Sequence, residues 1–321
     1  MAEWLYEAGI GEARAALIED GAIRAARIER DEDRLQPGAI VAGRLAEITV
    51  KGREGVVTLA DGDEALLAPL PPGITQGASL KVEITRAAIP ERGRAKRARA
   101  MPAAEGAEER AGPDLLARID ASGIPVRYLR AHAADDLEAA GWSEVLEEAE
   151  SGEIAFAGGA LRVSLTPAMT LIDVDGQPPL DALAVAAATA AARAIVRLGI
   201  AGSIGIDFPT LEGRGPRQAV GAAIDAALPP PFERTAMNGF GFLQIVRRRR
   251  RASLPELIRD DPVAAALRAA LRRIERTPPP GERLHHLPRA QLALLHTRPD
   301  WIAELARRTG VSTEFVAVEE S

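Results

Sequence analysis

Cysteine is absent from the 321 residues of the chain. This absence excludes disulfides, cysteine-ligated zinc, iron–sulfur clusters and thiol nucleophiles, so zinc is not an expected cofactor. Aromatic residues are also scarce, at 3% of the chain, whereas hydrophobic residues make up 47%. The length and this apolar content together suffice for two or three domains with ordinary cores.

Long apolar runs are missing as well. The alanine-rich stretch 182–196 is shorter than a membrane span. The opening segment, MAEWLYEAGIGEAR, has neither the basic start nor the apolar core of a signal peptide. We therefore expect a cytoplasmic protein without a membrane partner.

The charge is unevenly distributed. The net charge of −6 argues mildly against a nucleic-acid partner. However, basic residues cluster in RGRAKRARA (92–100) and RRRRR (247–251), and acidic residues cluster at 135–153. The total therefore hides local basic patches that could attract an anionic partner.

The first third of the chain has the patterns of β structure. Residues 13–29 alternate around Asp20-Gly21, which predicts a hairpin. Short strand patterns punctuated by glycine and proline follow over 38–86 and predict a small antiparallel barrel. The segment 90–113 is rich in arginine, alanine, glycine and proline, which is typical of a linker or mobile arm.

From residue 114 onward, helix and strand patterns alternate. Helices are predicted over PDLLARIDAS, SEVLEEAES, 180–198, GPRQAVGAAIDAAL, DPVAAALRAALRRIER and RAQLALLHTRPDWIAELARRTG. Strands are predicted at IPVRYLR, on both sides of Gly158-Gly159, at SIGIDF, in FERTAMNGFGFLQIVRRRRR and at TEFVAVEES. The fold class is therefore a multidomain α+β and α/β arrangement.

Two of the predicted strands end in acidic residues. TLIDVDG ends at Asp173 and Asp175, and GIDF ends at Asp207, with one helix between them. A strand–helix–strand unit brings both strand ends to one sheet edge, where open α/β sheets place their sites. Carboxylates gathered there suit Mg²⁺ or Mn²⁺, which can promote phosphoryl displacement. On local sequence alone, acidic turns that merely end the strands remain the alternative.

Several segments resemble, in order, the ribonuclease E/G family of bacterial endoribonucleases, which cut single-stranded RNA. They are ARAALIEDGAIRAARIERDEDRLQPGAIVAGRLAEI, GGALRVSLTPAMTLIDVDG, AARAIVRLGIAGSIGIDF, NGFGFLQIVRRRRRASL and RPDWIAELARRTGVSTEFVAVEE. The resemblance implies an RNase H-like subdomain (1–36 and 114–160) with an inserted OB-type RNA-binding barrel (37–89) and a basic arm (90–113). It further implies a DNase I-like catalytic domain (161–260) and a small α/β C-terminal domain (261–321).

The resemblance also assigns roles to the three acidic residues. Asp173 matches the first metal-binding aspartate of the family and Asp207 the second, while Asp175 stands where the family commonly has asparagine. The implied reaction is attack of magnesium-activated water on the RNA phosphodiester, which leaves a 5′-phosphate on the downstream product.

The chain departs from the family in its RNA-binding features. Val57 and Leu67 stand where the family has base-stacking aromatics, and Gly239 replaces an arginine. The Arg-Thr pair that recognises a 5′-monophosphate has no counterpart. The cysteine motif of the zinc-linked tetramer is missing too, so no such tetramer is expected and a homodimer stays open.

Basic residues supply the remaining RNA contacts that we predict. Alternate arginines of the strand end, Arg247, Arg249 and Arg251, could bind phosphates, and Arg44, Lys51 and Arg53 could line the barrel. Solvated side chains are the ordinary alternative. The hypotheses are a metal-dependent endoribonuclease, a non-catalytic RNA-binding protein on the same scaffold, and an assembly protein whose acidic strand ends are only turns.

Overall fold

The N-terminal hairpins form the first sheet of the computed structural model, which describes residues 1–91, 95–277 and 283–318. The strands are β1 (Glu3–Ala8), β2 (Glu12–Glu19), β3 (Ala22–Arg30) and β9 (Val126–Tyr128), in the order β3-β2-β1-β9. Asp20 and Gly21 join β2 to β3 with φ values of 53° and 76°. Two successive positive φ values are those of a type I′ turn, so the predicted hairpin is confirmed.

A closed five-stranded barrel follows. Its strands are β4 (Ile40–Val50), β5 (Glu54–Leu59), β6 (Glu64–Leu67), β7 (Ser79–Arg86) and β8 (Ala98–Pro102), in the order β4-β5-β6-β8-β7. The predicted barrel is thus confirmed, except that β6 and β8 run parallel rather than antiparallel. Leu45, Val82 and Ile84 are fully buried in its core.

Strand β8 corrects the prediction that residues 90–113 form a linker. Ala98 and Ala100 are buried in the barrel, and Arg97 points outward to an ion pair with Glu64 at 2.7 Å. Arginines alternating with small alanines satisfy the period of a strand without a recognisable apolar run, which explains the error. The barrel therefore extends beyond the predicted 37–89, and Arg92 and Arg94 of the predicted arm lie outside the described residues.

The second sheet has six strands and carries the acidic strand ends. Helices α1 (Leu115–Asp120), α2 (Asp136–Ala139) and α3 (Trp142–Ser151) precede it. Its strands are β10 (Glu153–Phe156), β11 (Gly159–Leu165), β12 (Thr170–Gly176), β13 (Gly202–Asp207), β14 (Glu233–Arg234) and β15 (Phe242–Arg247). They lie in the order β10-β11-β12-β13-β15-β14, and β12 and β13 form a parallel pair.

Helix α4 (Leu180–Arg197) connects β12 to β13 and packs against strands of both sheets, including β3 and β11. Ala184, Ala187, Ala188 and Ala191 are fully buried on it. Alanine has the highest helix propensity and a small side chain, so it favours the helix and allows both sheets to approach closely. The helices α5 (Arg214–Ala227) and α6 (Leu254–Asp260) complete this part, and α6 was not predicted.

The predicted boundary between residues 114–160 and 161–260 does not match this arrangement. It falls inside β11, while β10 already belongs to the six-stranded sheet. Leu5 and Ala16 of the first sheet share one hydrophobic core with Ile172 and Ile204 of the second. The two segments are therefore joined by a common core, which the sequence pattern of single elements could not reveal.

The C-terminal part combines three helices with a strand pair. Its elements are α7 (Pro262–Arg276), β16 (Leu284–Leu287), α8 (Arg289–His296), α9 (Pro299–Thr309) and β17 (Glu314–Ala317), and β16 pairs with β17 in parallel. The single helix predicted over 289–310 is wrong, because Pro299 begins a new helix. Strand β16 was not predicted either.

Buried ion pairs join α7 to the first sheet. The Glu7 carboxylate of β1 accepts hydrogen bonds from Arg14 Nη1 at 2.9 Å, Arg272 Nε at 2.7 Å and Arg276 Nη1 at 3.0 Å. Arg272 and Arg276 also pair with Asp135, which caps α2. Burial alone would raise the pKa of Glu7, but the hydrogen bond from Arg272 and the three positive charges outweigh it and lower the pKa below 4.5.

We predict that Glu7→Gln lowers the free energy of unfolding by roughly 3–5 kcal/mol at neutral pH, because it leaves buried arginines without their counter-charge. Since the pKa of Glu7 is lower in the folded than in the unfolded state, its stabilisation is present above pH 4.5 and is lost as the pH falls through the folded pKa. Urea unfolding of both proteins across this range tests this.

Glu3→Gln is the matched control, because Glu3 pairs with Arg127 at 3.1 Å on the surface and should contribute less than about 1 kcal/mol. Equal losses in the two variants, or a Glu7→Gln loss that persists unchanged in acid, would contradict the prediction.

Candidate metal and RNA site

Asp173 and Asp207 lie side by side. They are register partners on the parallel strands β12 and β13, which places their backbones about 4.8 Å apart. Both side chains are exposed, whereas Ile172 and Ile206 point to the opposite, buried face. The predicted meeting of the two strand ends is thus confirmed, and the α4 crossover is its cause.

The two aspartates belong to a row that crosses five strands. The register partners in this row are Glu153, Arg162, Asp173, Asp207 and Phe242, from β10 to β15. Side chains at paired positions share one face of a sheet, so the row presents three carboxylates and one guanidinium on the face opposite the α4 core. This face is open enough for an extended ligand to reach the aspartates.

Arg162 competes with any cation for the carboxylates beside it. Its Nη2 lies 3.3 Å from Asp175 Oδ2, its Nη1 lies 4.0 Å from Asp173 Oδ2, and its Nε donates to Glu153 at 2.8 Å. The hydrogen bond to Glu153, together with the surrounding negative charges, raises the pKa of Arg162. Asp175 is therefore turned toward Arg162, whereas Asp207 forms no ion pair with any residue that the structure describes.

The structure does not unite the three predicted carboxylates into one ligand group. Across residues 1–91, 95–277 and 283–318, no cluster of three or more histidine, aspartate or glutamate side chains is suited to hold a metal. Asp175 pairs with Ala160 on β11, since β13 ends at Asp207 and offers it no partner. The geometry thus leaves a two-carboxylate site at Asp173 and Asp207.

An exposed aromatic ring borders this site, and sequence reasoning missed it. Phe240 is 86% exposed at the tip of the turn that leads into β15. Asn238 Oδ1 accepts hydrogen bonds from Phe240 N at 2.9 Å and Phe242 N at 3.0 Å, which orders the turn. The amide of Phe208, next to Asp207, donates to the Gly241 carbonyl at 3.1 Å. The segment NGFG, with one phenylalanine between two glycines, is the sequence signal that could have identified this residue.

A basic cavity includes Gly239 of the same turn in its lining. It measures about 430 Å³ and is lined by Arg214 and Arg217 of α5, by Arg234 and by Gly239. Arg234 is held by Asp225 through two hydrogen bonds. Arg217 Nη1 lies 3.6 Å from where a Cβ of residue 239 would stand. The family resemblance implies an arginine at position 239. The Arg217 guanidinium of α5 therefore lies close to where that side chain would begin.

The arginines at the end of β15 and directly after it divide into two sets. Arg247 donates to the Ile200 carbonyl at 3.2 Å, Arg249 pairs with Glu256, and Arg251 donates to Gln36 Oε1 at 2.8 Å. These three side chains are half-buried and connect elements of the protein, because the segment runs between the barrel and α6. Arg248 and Arg250 are the exposed pair, and contact of Arg247, Arg249 and Arg251 with RNA phosphates stays a prediction.

The barrel positions divide into buried and exposed sets. Val57 and Leu67 are fully buried, so these positions lie in the barrel core and could not present stacking rings to RNA. Arg44, Lys51 and Arg53 are exposed, and Arg44 Nε donates to the Gly77 carbonyl at 2.9 Å. Their contact with RNA stays a prediction.

Comparisons with known proteins give no assignment. No protein-family model matches the chain, and no curated protein matches it in sequence. The resemblance to the ribonuclease E/G family therefore stays a prediction. Within the described part of the chain, none of the helices has the length and apolar character that crossing a bilayer requires.

We predict that Arg162→Gln increases the affinity for Mn²⁺ by about two- to fivefold, since removing an exposed competing cation is worth under about 1 kcal/mol. Asp173→Asn should weaken Mn²⁺ binding, and replacing the exposed Arg130 by glutamine should leave it unchanged. Titration followed by electron paramagnetic resonance of free Mn²⁺ measures all three. An Arg162→Gln affinity equal to that of wild type would show that Arg162 does not compete with the ion.

Proposed function

We propose that the protein is a metal-dependent endoribonuclease acting on single-stranded RNA, with Asp173 and Asp207 as the ligands of a magnesium or manganese ion. The observation that supports this most is their side-by-side register on β12 and β13. Asp175 acts as a supporting residue through Arg162. The segments that resemble the ribonuclease E/G family also occur in the family's order along this chain, which supports the same assignment.

The donor set fits such an ion. Mg²⁺ is commonly held by one or two carboxylates and keeps several waters, and two exposed neighbouring aspartates match that requirement. When bound, the ion supplies Lewis-acid activation of water and charge stabilisation at the phosphodiester. Asp173 and Asp207 would hold it, and Arg162, at 4.0 Å from Asp173, offsets part of the negative charge that Asp173 presents.

RNA binding is supported by residues around the aspartates. Phe240 can stack on a base, since aromatic stacking is independent of sequence and every base has a π-face. Arg214 and Arg217 line the basic cavity that includes Gly239 of the same turn, and they can contact phosphates there. The aromatic function that the barrel core lacks is thus available beside the carboxylates.

The proposal includes a finer architecture. The closed five-stranded barrel is assigned as an OB-type RNA-binding domain, a class that is built from five strands. The first sheet with α1 to α3 is assigned as RNase H-like, and the six-stranded sheet as DNase I-like. Exposed Arg44, Lys51 and Arg53 support RNA binding by the barrel.

A non-catalytic RNA-binding protein on the same scaffold is the second candidate. Two observations favour it: Arg162 lies against Asp175 and Asp173, and the described residues contain no group of three or more acidic or histidine side chains suited to hold a metal. In that case Arg162 would take the place of the ion and the open face would bind RNA without cutting it.

Cleavage of a 5′-labelled, A/U-rich single-stranded RNA in the presence of Mg²⁺ tests the first candidate. Asp173→Asn and Asp207→Asn should each reduce the cleavage rate roughly hundredfold or more, because the ion supplies several kcal/mol of transition-state stabilisation. Asp120→Asn is the matched control, because Asp120 is an exposed aspartate at the end of α1.

The results separate the two candidates. Cleavage that is equal in wild type and both site variants would contradict the metal assignment. A wild type that binds RNA but does not cut it, with binding retained in both variants, would favour the second candidate.

We predict that Phe240→Leu weakens binding of single-stranded RNA by roughly 5- to 100-fold, because base–aromatic stacking is worth about 1–3 kcal/mol per base. Tyr128→Leu is the control, because Tyr128 is also exposed but lies on β9 of the first sheet, where its ring contacts Tyr6. Fluorescence anisotropy of a labelled RNA measures both. If both variants bind like wild type, Phe240 does not stack on the RNA.

A further inference from the structure

A second cavity is lined by six arginines and by no acidic residue. It measures about 590 Å³ and lies between β3, α1 and the segment after β15. The arginines that line it are Arg27, Arg118, Arg247, Arg248, Arg250 and Arg251. Solvent screens such a concentration of like charge only in part, so the cavity favours an anion from outside unless internal counter-charges are present.

Internal counter-charge comes from Glu29. This carboxylate pairs with Arg118 at 2.5 Å, and its charge also acts on Arg251. The other five arginines have no carboxylate within 4.0 Å among the residues that the structure describes. Arg27 Nη1 donates to the carbonyls of Ala26, Val196 and Arg197, and these oxygens satisfy its hydrogen bonds without cancelling its full charge.

The arginines stay charged in spite of this crowding. Burial, followed by repulsion from Arg247 and Arg118, lowers the pKa of Arg27 to about 10. Burial and then the charge of Arg118 lower the pKa of Arg251 to about 10 as well. Both remain protonated at neutral pH, so the repulsion persists until an anion relieves it.

The cavity is separate from the carboxylate pair. Arg247 and Phe242 are the two ends of β15, five residues or about 17 Å apart, and Phe242 is the register partner of Asp207. The rest of the lining is mostly apolar, with Trp4, Leu115 and Leu254 among its residues. A cavity of this size with cationic and apolar lining suits a small molecule that carries several phosphates.

We propose that this cavity binds the diphosphate group of a small ligand, either a free nucleoside polyphosphate or pyrophosphate. Planar guanidinium groups bind phosphate oxygens in pairs, which makes clustered arginines selective for this chemistry. Arg248 and Arg250 are exposed at the rim and make the first contacts, while Arg27 and Arg251 line the interior. The site is independent of the proposed nuclease activity.

Calorimetric titration of the full chain with ATP and, separately, with pyrophosphate tests the proposal, at low salt and without divalent cations. We expect saturable binding of one molecule per chain and a higher melting temperature with the ligand than with chloride of equal ionic strength. Arg248→Gln combined with Arg250→Gln should weaken binding by about tenfold per arginine removed, as for loss of a charge-assisted contact. Binding of ATP alone would identify a nucleotide, and equal binding of pyrophosphate would identify the diphosphate as sufficient.

The control is Arg130→Gln combined with Arg193→Gln, which removes the same charge from exposed arginines outside the cavity. A short single-stranded RNA with a 5′-hydroxyl provides the third titration. The proposal is overturned if neither ATP nor pyrophosphate binds at millimolar concentration, if the control loses as much affinity as the cavity variant, or if only the RNA depends on Arg248 and Arg250.

Discussion

The parallel pairing of β12 with β13 is the constraint on which the candidate site depends. Parallel neighbours need a crossover, and α4 provides it by running back along the sheet. Its buried alanines let this helix pack against both sheets at once, so the crossover is fixed from two sides. Asp173 and Asp207 are adjacent because the whole core holds these two strands in register.

Arginine has two opposite uses in this chain. Around Glu7, buried arginines are matched by carboxylates, and the resulting network attaches α7 to the first sheet. Around the six-arginine cavity, most guanidinium groups meet only backbone oxygens or solvent. Removing one partner of a buried ion pair destabilises the fold, whereas crowded like charges are relieved when an anion binds. The net charge of −6 describes neither environment.

The sequence was informative where a pattern is local. The Asp20-Gly21 hairpin, helix α4 and the strands that end at Asp173 and Asp207 follow from turn chemistry and periodicity, and the structure has them. Prediction from the sequence failed where packing between distant segments of the chain determines the structure. Strand β8 is recognisable only as the partner of β6 and β7, and the inward set of arginines after β15 depends on the barrel and α6.

For the same reason, only part of the candidate site could be predicted from the sequence. Strand ends and alternation place Asp173 and Asp207 together, but the position of Arg162 depends on the β11–β12 register, which no local pattern specifies. Val57 and Leu67 were compared with surface residues although both are core residues, because alternation does not tell which face is inside a barrel. Phe240 was not predicted as a site residue, because a single aromatic residue in a glycine-rich turn belongs to no periodic pattern.

The shape of the open face bears on what it can bind. The row from Glu153 to Phe242 crosses five strands, which spans about 19 Å. Its charges lie on a sheet surface rather than in an enclosed pocket, and the exposed ring of Phe240 stands in the turn that leads into β15. A small molecule would contact only part of such a row. An extended polymer could meet the aspartates and then the ring, which is why we propose a chain-like ligand for this face and a compact phosphate for the arginine cavity about 17 Å away along β15.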